Sequence, residues 1–186
     1  EKSIRRDTIL ASVMHVNNEI GVIQPIKDIG NICDKHKILF HVDAAQSIGK
    51  IPIDVNEMNI DLLSISSHKI YGPKGIGALF IKRKTPSIFL QPITYGGGHE
   101  RGLRPGTLAV ANIVGIGKAC EISQKVMHIE AKEIKSLRNK LVEKIQEKIS
   151  NTNINGSMEM RLAGNLNMSF PGTSNEAMIA AMPEIS

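Results

Sequence analysis

The stretch SSHKIYGPKG, residues 66–75, decides how this chain folds and where its chemistry lies. It follows the apolar run 60–65 and places Lys69 just after a predicted strand, with a hydroxyl and an imidazole before it and glycines after it. A lysine in this position extends its amine from a strand end into a turn. Ligands of open α/β sheets bind outside the carboxyl ends of the strands. We therefore predict that Lys69 lies in a ligand site.

A second strand end lies upstream of this stretch. The run FHVDAAQS, residues 40–47, is a short β-rich segment that leads into the carboxylate of Asp43. Lys69 follows Asp43 by 26 residues (69 minus 43). A strand-end lysine and a strand-end carboxylate are what pyridoxal phosphate needs, because the lysine forms a Schiff base and the carboxylate keeps the ring nitrogen protonated. The pair predicts a site for that cofactor.

The order of predicted elements indicates an α/β fold. A strand, a helix and three further strands are predicted in that order over residues 8–14, 25–37, 38–42, 60–66 and 78–82. Alternating strands and helices are typical of a largely parallel sheet. We predict a three-layer fold with helices on both faces of the sheet, in which Asn18 and Gln46 also fall at the carboxyl ends of strands.

The second half of the chain has a different pattern. A glycine-rich loop, residues 96–107, precedes an apolar helical stretch over 108–126, and a charged helix with an apolar stripe from Ile134 to Ile149 follows. A turn-rich break over 151–156, a strand over 165–170 and a helix over 175–182 with Ser174 as N-cap complete the pattern. The composition shift near Val126 predicts two units. Residues 1–126 are part of a large cofactor-binding domain, and residues 127–186 are an incomplete, smaller α+β domain.

Composition excludes several classes of function. The formal net charge is +5, but the basic residues are interleaved with acidic ones over 130–148, and aromatic residues are only 3%, which argues against a nucleic-acid surface. No apolar run approaches the roughly 20 residues of a membrane span. Cys33 and Cys120 fit a reducing compartment, and the histidines show no metal-ligand spacing. We expect a cytoplasmic protein without a metal, or a mitochondrial one in a eukaryote.

Four blocks together identify a family resemblance. They cover residues 14–21 (MHVNNEIG), 41–47 (HVDAAQS), 66–75 and 96–107 (GGGHERGLRPGT). In their order and spacing the chain resembles the NifS/IscS-type cysteine desulfurases, which are class V relatives of the fold type I aminotransferases. The resemblance implies the fold type I major domain and pyridoxal 5′-phosphate as cofactor.

The resemblance implies a role for each ring contact. Lys69 resembles the catalytic lysine that carries the cofactor and moves the proton at the substrate Cα, and Asp43 the carboxylate on the pyridine nitrogen. Asn18 and Gln46 resemble the amides that bond near the ring hydroxyl. The plain alternatives are a solvated surface lysine, an aspartate that caps a turn, and two loop amides that satisfy backbone groups.

The phosphate contacts are also implied by the resemblance. Ser66 and His68 resemble phosphate ligands, and Thr107 resembles a threonine that reaches the cofactor of the neighbouring subunit, which implies a homodimer. The alternative for Thr107 is a helix N-cap before Leu108. Two positions depart from the pattern: Ser67 replaces an expected glycine and could crowd the phosphate, and Pro105 replaces a usual serine.

The implied activity is that of a cysteine desulfurase, which converts L-cysteine to L-alanine and passes the sulfur, as an enzyme persulfide, to iron–sulfur scaffold and sulfur-acceptor proteins. Neither Cys33 nor Cys120 matches the persulfide cysteine. Because the chain starts without Met and stops before that cysteine, we expect a fragment that lacks the N-terminal half and is inactive alone.

Three other interpretations stay open from the sequence. A second class V enzyme, such as a selenocysteine lyase or another β-lyase, would share the cofactor site. A cofactor-free interaction fragment would be colourless. A basic nucleic-acid binder would show salt-sensitive binding to DNA or RNA.

Overall fold

One sheet of four strands forms the centre of the structure, a computed structural model that describes residues 1–184. Strands β1, β2 and β3 pair in parallel, and β4 joins β3 antiparallel, in the order β1-β2-β3-β4. The largely parallel α/β sheet predicted from the sequence is confirmed. The strand bounds are Leu10–Met14, Leu39–Asp43, Leu62–Ser66 and Gly77–Ile81 for β1 to β4.

Helix α1, Ile26–Lys35, connects β1 to β2 and covers one face of the sheet. Ile26 and Cys33 are buried on its inner side, in the same core cluster as Phe40 and Val42, which are both 0% exposed. Side chains alternate along a strand, so the even-numbered residues of β2 point to this helix. Burying one such side chain stabilises the fold by about 1.5–3 kcal/mol. This core fixes α1 and β2 to each other.

The opposite face of the sheet carries polar side chains. Ser12 Oγ lies 2.8 Å from His41 Nδ1, and His41 Nε2 lies 3.2 Å from Ser64 Oγ, so one row of hydrogen bonds crosses three strands. Ser12 is exposed, and the other two residues are partly buried. A helical layer on this second face remains a prediction.

A single long helix replaces the two predicted after the glycine-rich loop. Helix α2 runs over Val110–Lys148, 39 residues, without a break at Val126. The predicted interruption is absent because α2 contains no glycine or proline, the two poorest helix formers, after Gly117. The division at residue 126 remains a prediction.

Short elements follow α2. Strands β5, Asn153–Ile154, and β6, Met168–Ser169, pair antiparallel. The break predicted over 151–156 therefore contains a strand, and the strand predicted over 165–170 is shorter than expected. Helix α3, Asn175–Ala181, begins at the predicted N-cap, since Ser174 Oγ accepts a hydrogen bond of 3.4 Å from Ala177 N. The last residues of the predicted C-terminal domain, 185–186, lie outside the described residues.

We expect Gly30→Ala to destabilise the fold, because a Cβ at Gly30 in α1 would overlap the carbonyl oxygen of Met58. Overpacking of this kind costs about 1–3 kcal/mol. The matched control is Gly117→Ala in α2, where a Cβ would meet nothing within 4 Å. It should stabilise the protein by about 0.5–1 kcal/mol, since alanine is the better helix former. Urea denaturation of both variants measures the difference, and equal stabilities would contradict the close packing of α1.

Candidate functional site

The parallel pairing brings three strand ends to one edge of the sheet. Met14 is the register partner of Asp43, and Asp43 is the partner of Ser64. His15, the first residue after β1, continues this pairing, because its N–H donates to Asp43 O at 2.9 Å. The loops that follow β1, β2 and β3 therefore emerge side by side.

A pocket of about 210 Å³ opens at this edge. Among its lining residues are Asn18, Asp43 and Gln46, three of the residues predicted from the sequence. Met14, Val16 and Ala45 supply the rest of the lining. The pocket thus combines one carboxylate and two amides with an apolar wall.

Local hydrogen bonds shape the two loops of this pocket. Asp43 Oδ1 accepts from Ala45 N at 2.9 Å, so the aspartate does cap a turn, as its plain alternative proposed. The other carboxylate oxygen, Oδ2, has no hydrogen-bond partner within residues 1–184. A strand-end aspartate can therefore cap a turn and still offer an acceptor to a ligand.

Asn17, which the sequence interpretation did not single out, holds the first loop. Its Oδ1 accepts from Glu19 N at 3.0 Å and from Ile20 N at 2.9 Å. The neighbouring amides of Asn18 and Gln46 make no hydrogen bond within the described chain. The alternative that these two amides satisfy backbone groups is therefore wrong, since Asn17 does so in their place. The signal was Asn17 itself, because asparagine side chains often accept hydrogen bonds from backbone groups two or three residues later in turns.

Lys69 lies in a one-turn 3-10 helix, Ser67–Ile70, directly after β3. The turn ends at Tyr71, whose φ of 61° is in the left-handed region. Ser66 Oγ lies 3.0 Å from His68 Nδ1, so the hydroxyl and the imidazole predicted to bind phosphate are neighbours. Lys69 is partly buried. Its role as the cofactor lysine stays a prediction, as does the alternative of a solvated surface lysine.

Lys69 lines a second pocket, of about 290 Å³, and not the first. The same pocket contains Lys50, which the sequence interpretation missed. Burial, and after it the Lys69 ammonium, lower the pKa of Lys50 from its ordinary value. No pattern in the sequence distinguishes Lys50 from the many surface lysines of this chain.

Thr107 lies outside both pockets. It is exposed at the end of the glycine-rich loop. Helix α2 begins at Val110 with Ala109 as its N-cap, so the alternative role of Thr107 as an N-cap before Leu108 is wrong. Within this loop, Pro105 packs against Gly96, since a Cβ at Gly96 would lie 3.0 Å from Pro105 Cβ.

Two buried polar atoms next to the site have no partner within residues 1–184. They are His15 Nδ1 and Ser67 Oγ, on side chains that are 3% and 0% exposed. The Ser67 hydroxyl occupies the space that a Cβ would need at Gly72. Ser67 therefore packs into the interior of the turn and lines neither pocket.

Other candidates for chemistry contribute little here. Cys33 is buried in the core, where burial and then Asp61 raise the pKa of its thiol, and Cys120 lies on α2. Neither lines the pocket of Asp43 or the pocket of Lys69. Residues 1–184 hold no group of three or more His, Cys, Asp or Glu side chains arranged to bind a metal. Over the same residues, no helix is long and apolar enough to cross a membrane.

We expect the stability of the protein to fall below pH 6.5 because of His15. Burial lowers the pKa of His15 from its ordinary value of 6.5, so the unfolded chain binds the proton more readily than the folded one. The contribution of neutral His15 is complete above pH 6.5 and is lost as the pH falls through the lower pKa of the folded state. His15→Gln should reduce this slope, measured by urea denaturation across the range.

The matched control for this titration is His128→Gln, because His128 is exposed on α2. It should leave the pH dependence of the free energy of unfolding unchanged. An equal slope in the wild type and in His15→Gln would contradict the assignment of the effect to His15.

Comparisons with known proteins agree with this geometry. Residues 1–184 match the Aminotransferase class-V family. The chain is 51% identical over 185 residues to a mitochondrial cysteine desulfurase of Arabidopsis thaliana, with 100% of this chain and 41% of the relative covered. It is 54% identical over 184 residues to the cysteine desulfurase IscS of Actinobacillus succinogenes, with 99% and 45% covered.

A solved structure described as a NifS-like protein superposes with a TM-score of 0.91 at 38% identity, over 98% of this chain and 49% of that one. The chain thus spans less than half the length of each of these three proteins. The match to the family extends over all of the described residues, and the strand ends that the family motifs occupy form one edge of the sheet. The chain belongs to the class V aminotransferase family.

Proposed function

We propose that the protein to which this chain belongs is a pyridoxal-phosphate-dependent cysteine desulfurase. The observation that carries the proposal is the pocket at the sheet edge, in which Asp43, Gln46 and Asn18 meet beside the turn of Lys69. The relatives named cysteine desulfurase support the same activity. They favour it over a selenocysteine lyase and over a cofactor-free fragment.

The residues present fit the cofactor. A pyridine ring needs an acceptor for its N–H, and Asp43 Oδ2 is unpaired in a pocket with an apolar wall. A phosphate needs donors, and the Ser66 hydroxyl and the His68 imidazole lie 3.0 Å apart at the next strand end. Lys69 provides an amine one residue further along the turn. Carboxylate, amides, amine and phosphate donors thus lie on adjacent loops.

Each side chain has a role in the proposed mechanism. Pyridoxal phosphate, when bound, supplies the electron sink that makes bonds at the Cα of an amino acid labile. Asp43 holds a proton at the ring nitrogen, and Gln46 and Asn18 orient the ring hydroxyl. Ser66 and His68 donate hydrogen bonds to the phosphate. Lys69 binds the cofactor through its Nζ and moves the proton at the substrate Cα.

The proposed substrate is L-cysteine, and the proposed product is L-alanine. Sulfur transfer also needs a nucleophilic cysteine at the site. Cys33 is buried in the core and Cys120 lies on α2 outside both pockets, so neither takes this role. We place the acceptor cysteine outside residues 1–184. Iron–sulfur scaffold and sulfur-acceptor proteins are the proposed partners, in the cytoplasm or in a mitochondrion.

A homodimer completes the proposed site. Thr107 is exposed and lines neither pocket of its own copy, which fits a role in the cofactor site of a second copy. Large apolar side chains beside the glycine-rich loop are exposed as well, with Phe89 at 86%, Ile93 at 93% and Tyr95 at 78%. Exposed apolar patches of this kind are typical of protein interfaces. We propose that this surface pairs with the same surface of a second copy.

We expect the protein at its natural length to be yellow, and we expect Lys69→Ala to lose both the colour and the release of sulfide from L-cysteine. The reason is that Lys69 provides an amine directly after strand β3, which pairs with the strand that ends in Asp43 of the proposed cofactor pocket. The measurement is the visible absorption spectrum together with a sulfide assay. Lys74→Ala is the control, because Lys74 is exposed in the following loop and should keep both properties. A colourless wild-type protein would contradict the proposed cofactor.

We expect mixed dimers of the Lys69→Ala and Thr107→Ala variants to be active where each parent is impaired. In the mixed dimer one site combines an intact Lys69 with Thr107 from the other copy. The measurement is sulfide release after the two variants are unfolded, mixed and refolded, compared with each variant treated alone. No gain on mixing would contradict a shared site.

A further inference from the structure

The loop of residues 17–21, which follows β1, brings Asn18 into the pocket of Asp43. Asn17 bonds the loop to itself, whereas the Asn18 side chain makes no hydrogen bond within the described chain. The position from which Asn18 lines the pocket therefore depends on contacts that reach this loop from elsewhere in the molecule.

Asn165 contacts the loop in two ways. Its Nδ2 donates a hydrogen bond of 2.9 Å to the carbonyl oxygen of Glu19, the residue directly after Asn18. Its side chain also fills the space beside Gly21, where an added Cβ would overlap it. Asn165 therefore fixes both the direction of the Glu19 carbonyl and the path of the chain at the end of the loop.

A buried arginine holds Asn165 in turn. Arg161 is 6% exposed, and its Nη1 donates to Asn165 Oδ1 at 2.6 Å. The other acceptors of this guanidinium are the backbone carbonyl oxygens of Ser157 and Asn155, and it has no carboxylate partner among residues 1–184. Asn165 thus supplies the one side-chain acceptor of Arg161 in that part of the chain.

The arginine determines which way the Asn165 amide points. A guanidinium only donates hydrogen bonds, so the amide oxygen of Asn165 must face Arg161. The amide NH2 is then directed to the Glu19 carbonyl, which only accepts. Because the planar guanidinium holds its acceptors in fixed directions, the two hydrogen bonds form one rigid connection from Arg161 to the loop of Asn18.

We propose that Arg161 and Asn165 are positioning residues for the cofactor site, which act on Asn18 through the loop of residues 17–21. The inference rests on the proposed function, in which Asn18 orients the ring hydroxyl. Neither Arg161 nor Asn165 lines the pocket of Asp43 or the pocket of Lys69. The predicted small-domain sequence thereby sets a contact with the cofactor that it does not itself make.

Two substitutions of Asn165 separate the position of the loop from the stability of the protein. Asn165→Ala removes both hydrogen bonds and leaves Arg161 without its side-chain acceptor. Asn165→Asp keeps an acceptor for Arg161, in a charge-assisted hydrogen bond, but has no donor for the Glu19 carbonyl. The aspartate variant should therefore resist urea better than the alanine variant, while both variants release the loop.

The matched control is Asn139→Ala. Asn139 is half-buried like Asn165, and its Oδ1 accepts from Nε and Nη2 of a second buried arginine, Arg138, at 3.2 and 2.9 Å. Its side chain makes no hydrogen bond to residues 17–21. The control therefore removes an arginine acceptor of the same kind without releasing the loop.

Hydrogen–deuterium exchange measures the release of the loop, on the protein at its natural length and before pyridoxal phosphate is added. The backbone N–H groups of residues 19–21 should exchange about two- to ten-fold faster in both Asn165 variants than in the wild type, which is the effect of losing one hydrogen bond. Asn139→Ala should exchange like the wild type over these residues.

The visible absorption of bound pyridoxal phosphate measures the consequence at the site. Both Asn165 variants should shift the pH midpoint of the yellow band by roughly half a pH unit, in the same direction as Asn18→Ala. Asn165→Ala should add no further shift to Asn18→Ala, because the two residues act through one contact. Asn139→Ala should keep the midpoint of the wild type.

Two results would overturn the proposal in a protein that is yellow. Unchanged exchange over residues 19–21 in the Asn165 variants would show that other contacts hold the loop. Faster exchange with an unchanged pH midpoint would make Arg161 and Asn165 a purely structural brace. A colourless wild-type protein would instead contradict the proposed function, and with it any role of this pair towards a cofactor, so the two failures are distinguishable.

Discussion

The parallel register of β1, β2 and β3 is the constraint on which the rest of this structure depends. It pairs Met14 with Asp43 and Asp43 with Ser64, so that three successive loops leave the sheet at one edge. A slip of one residue in β2 would turn Asp43 to the opposite face and bury it where Phe40 and Val42 now lie. The cost of exposing these two side chains, each 0% exposed, holds the register in place. The core packing of α1 thereby helps to position a carboxylate on the opposite face of the sheet.

A second constraint comes from a segment far along the chain. Asn165 Nδ2 donates to Glu19 O at 2.9 Å, and Leu162 N donates to Gly21 O at 2.9 Å. Gly21 has a φ of +66°, and a Cβ there would overlap the Asn165 side chain. The loop that presents Asn18 is therefore braced by residues about 145 positions later (165 minus 19 is 146). The predicted small-domain sequence takes part in shaping the edge of the large sheet.

Buried polar atoms without partners collect around the same edge. His15 and Ser67 each follow a strand of the sheet directly, and each has an unpaired polar atom in the described chain. Most buried polar groups in proteins are hydrogen-bonded, so each exception calls for an explanation such as a catalytic role or a bound water or ion. The neighbourhood also contains Lys50 and Lys69, two ammonium groups that share one pocket.

The sequence by itself determined the elements and most of the site. The strand β2 and the helix α1 follow from local patterns of apolar residues. The motifs around Asp43 and Lys69 likewise indicate strand ends, whichever strands pair with each other. Tertiary structure alone decided which strand ends become neighbours. It also made Asn17 rather than Asn18 the residue that holds the loop, and it brought Lys50 and Lys69 into one pocket. These outcomes depend on contacts between residues distant in sequence, and a local pattern carries no information about a partner that only packing supplies.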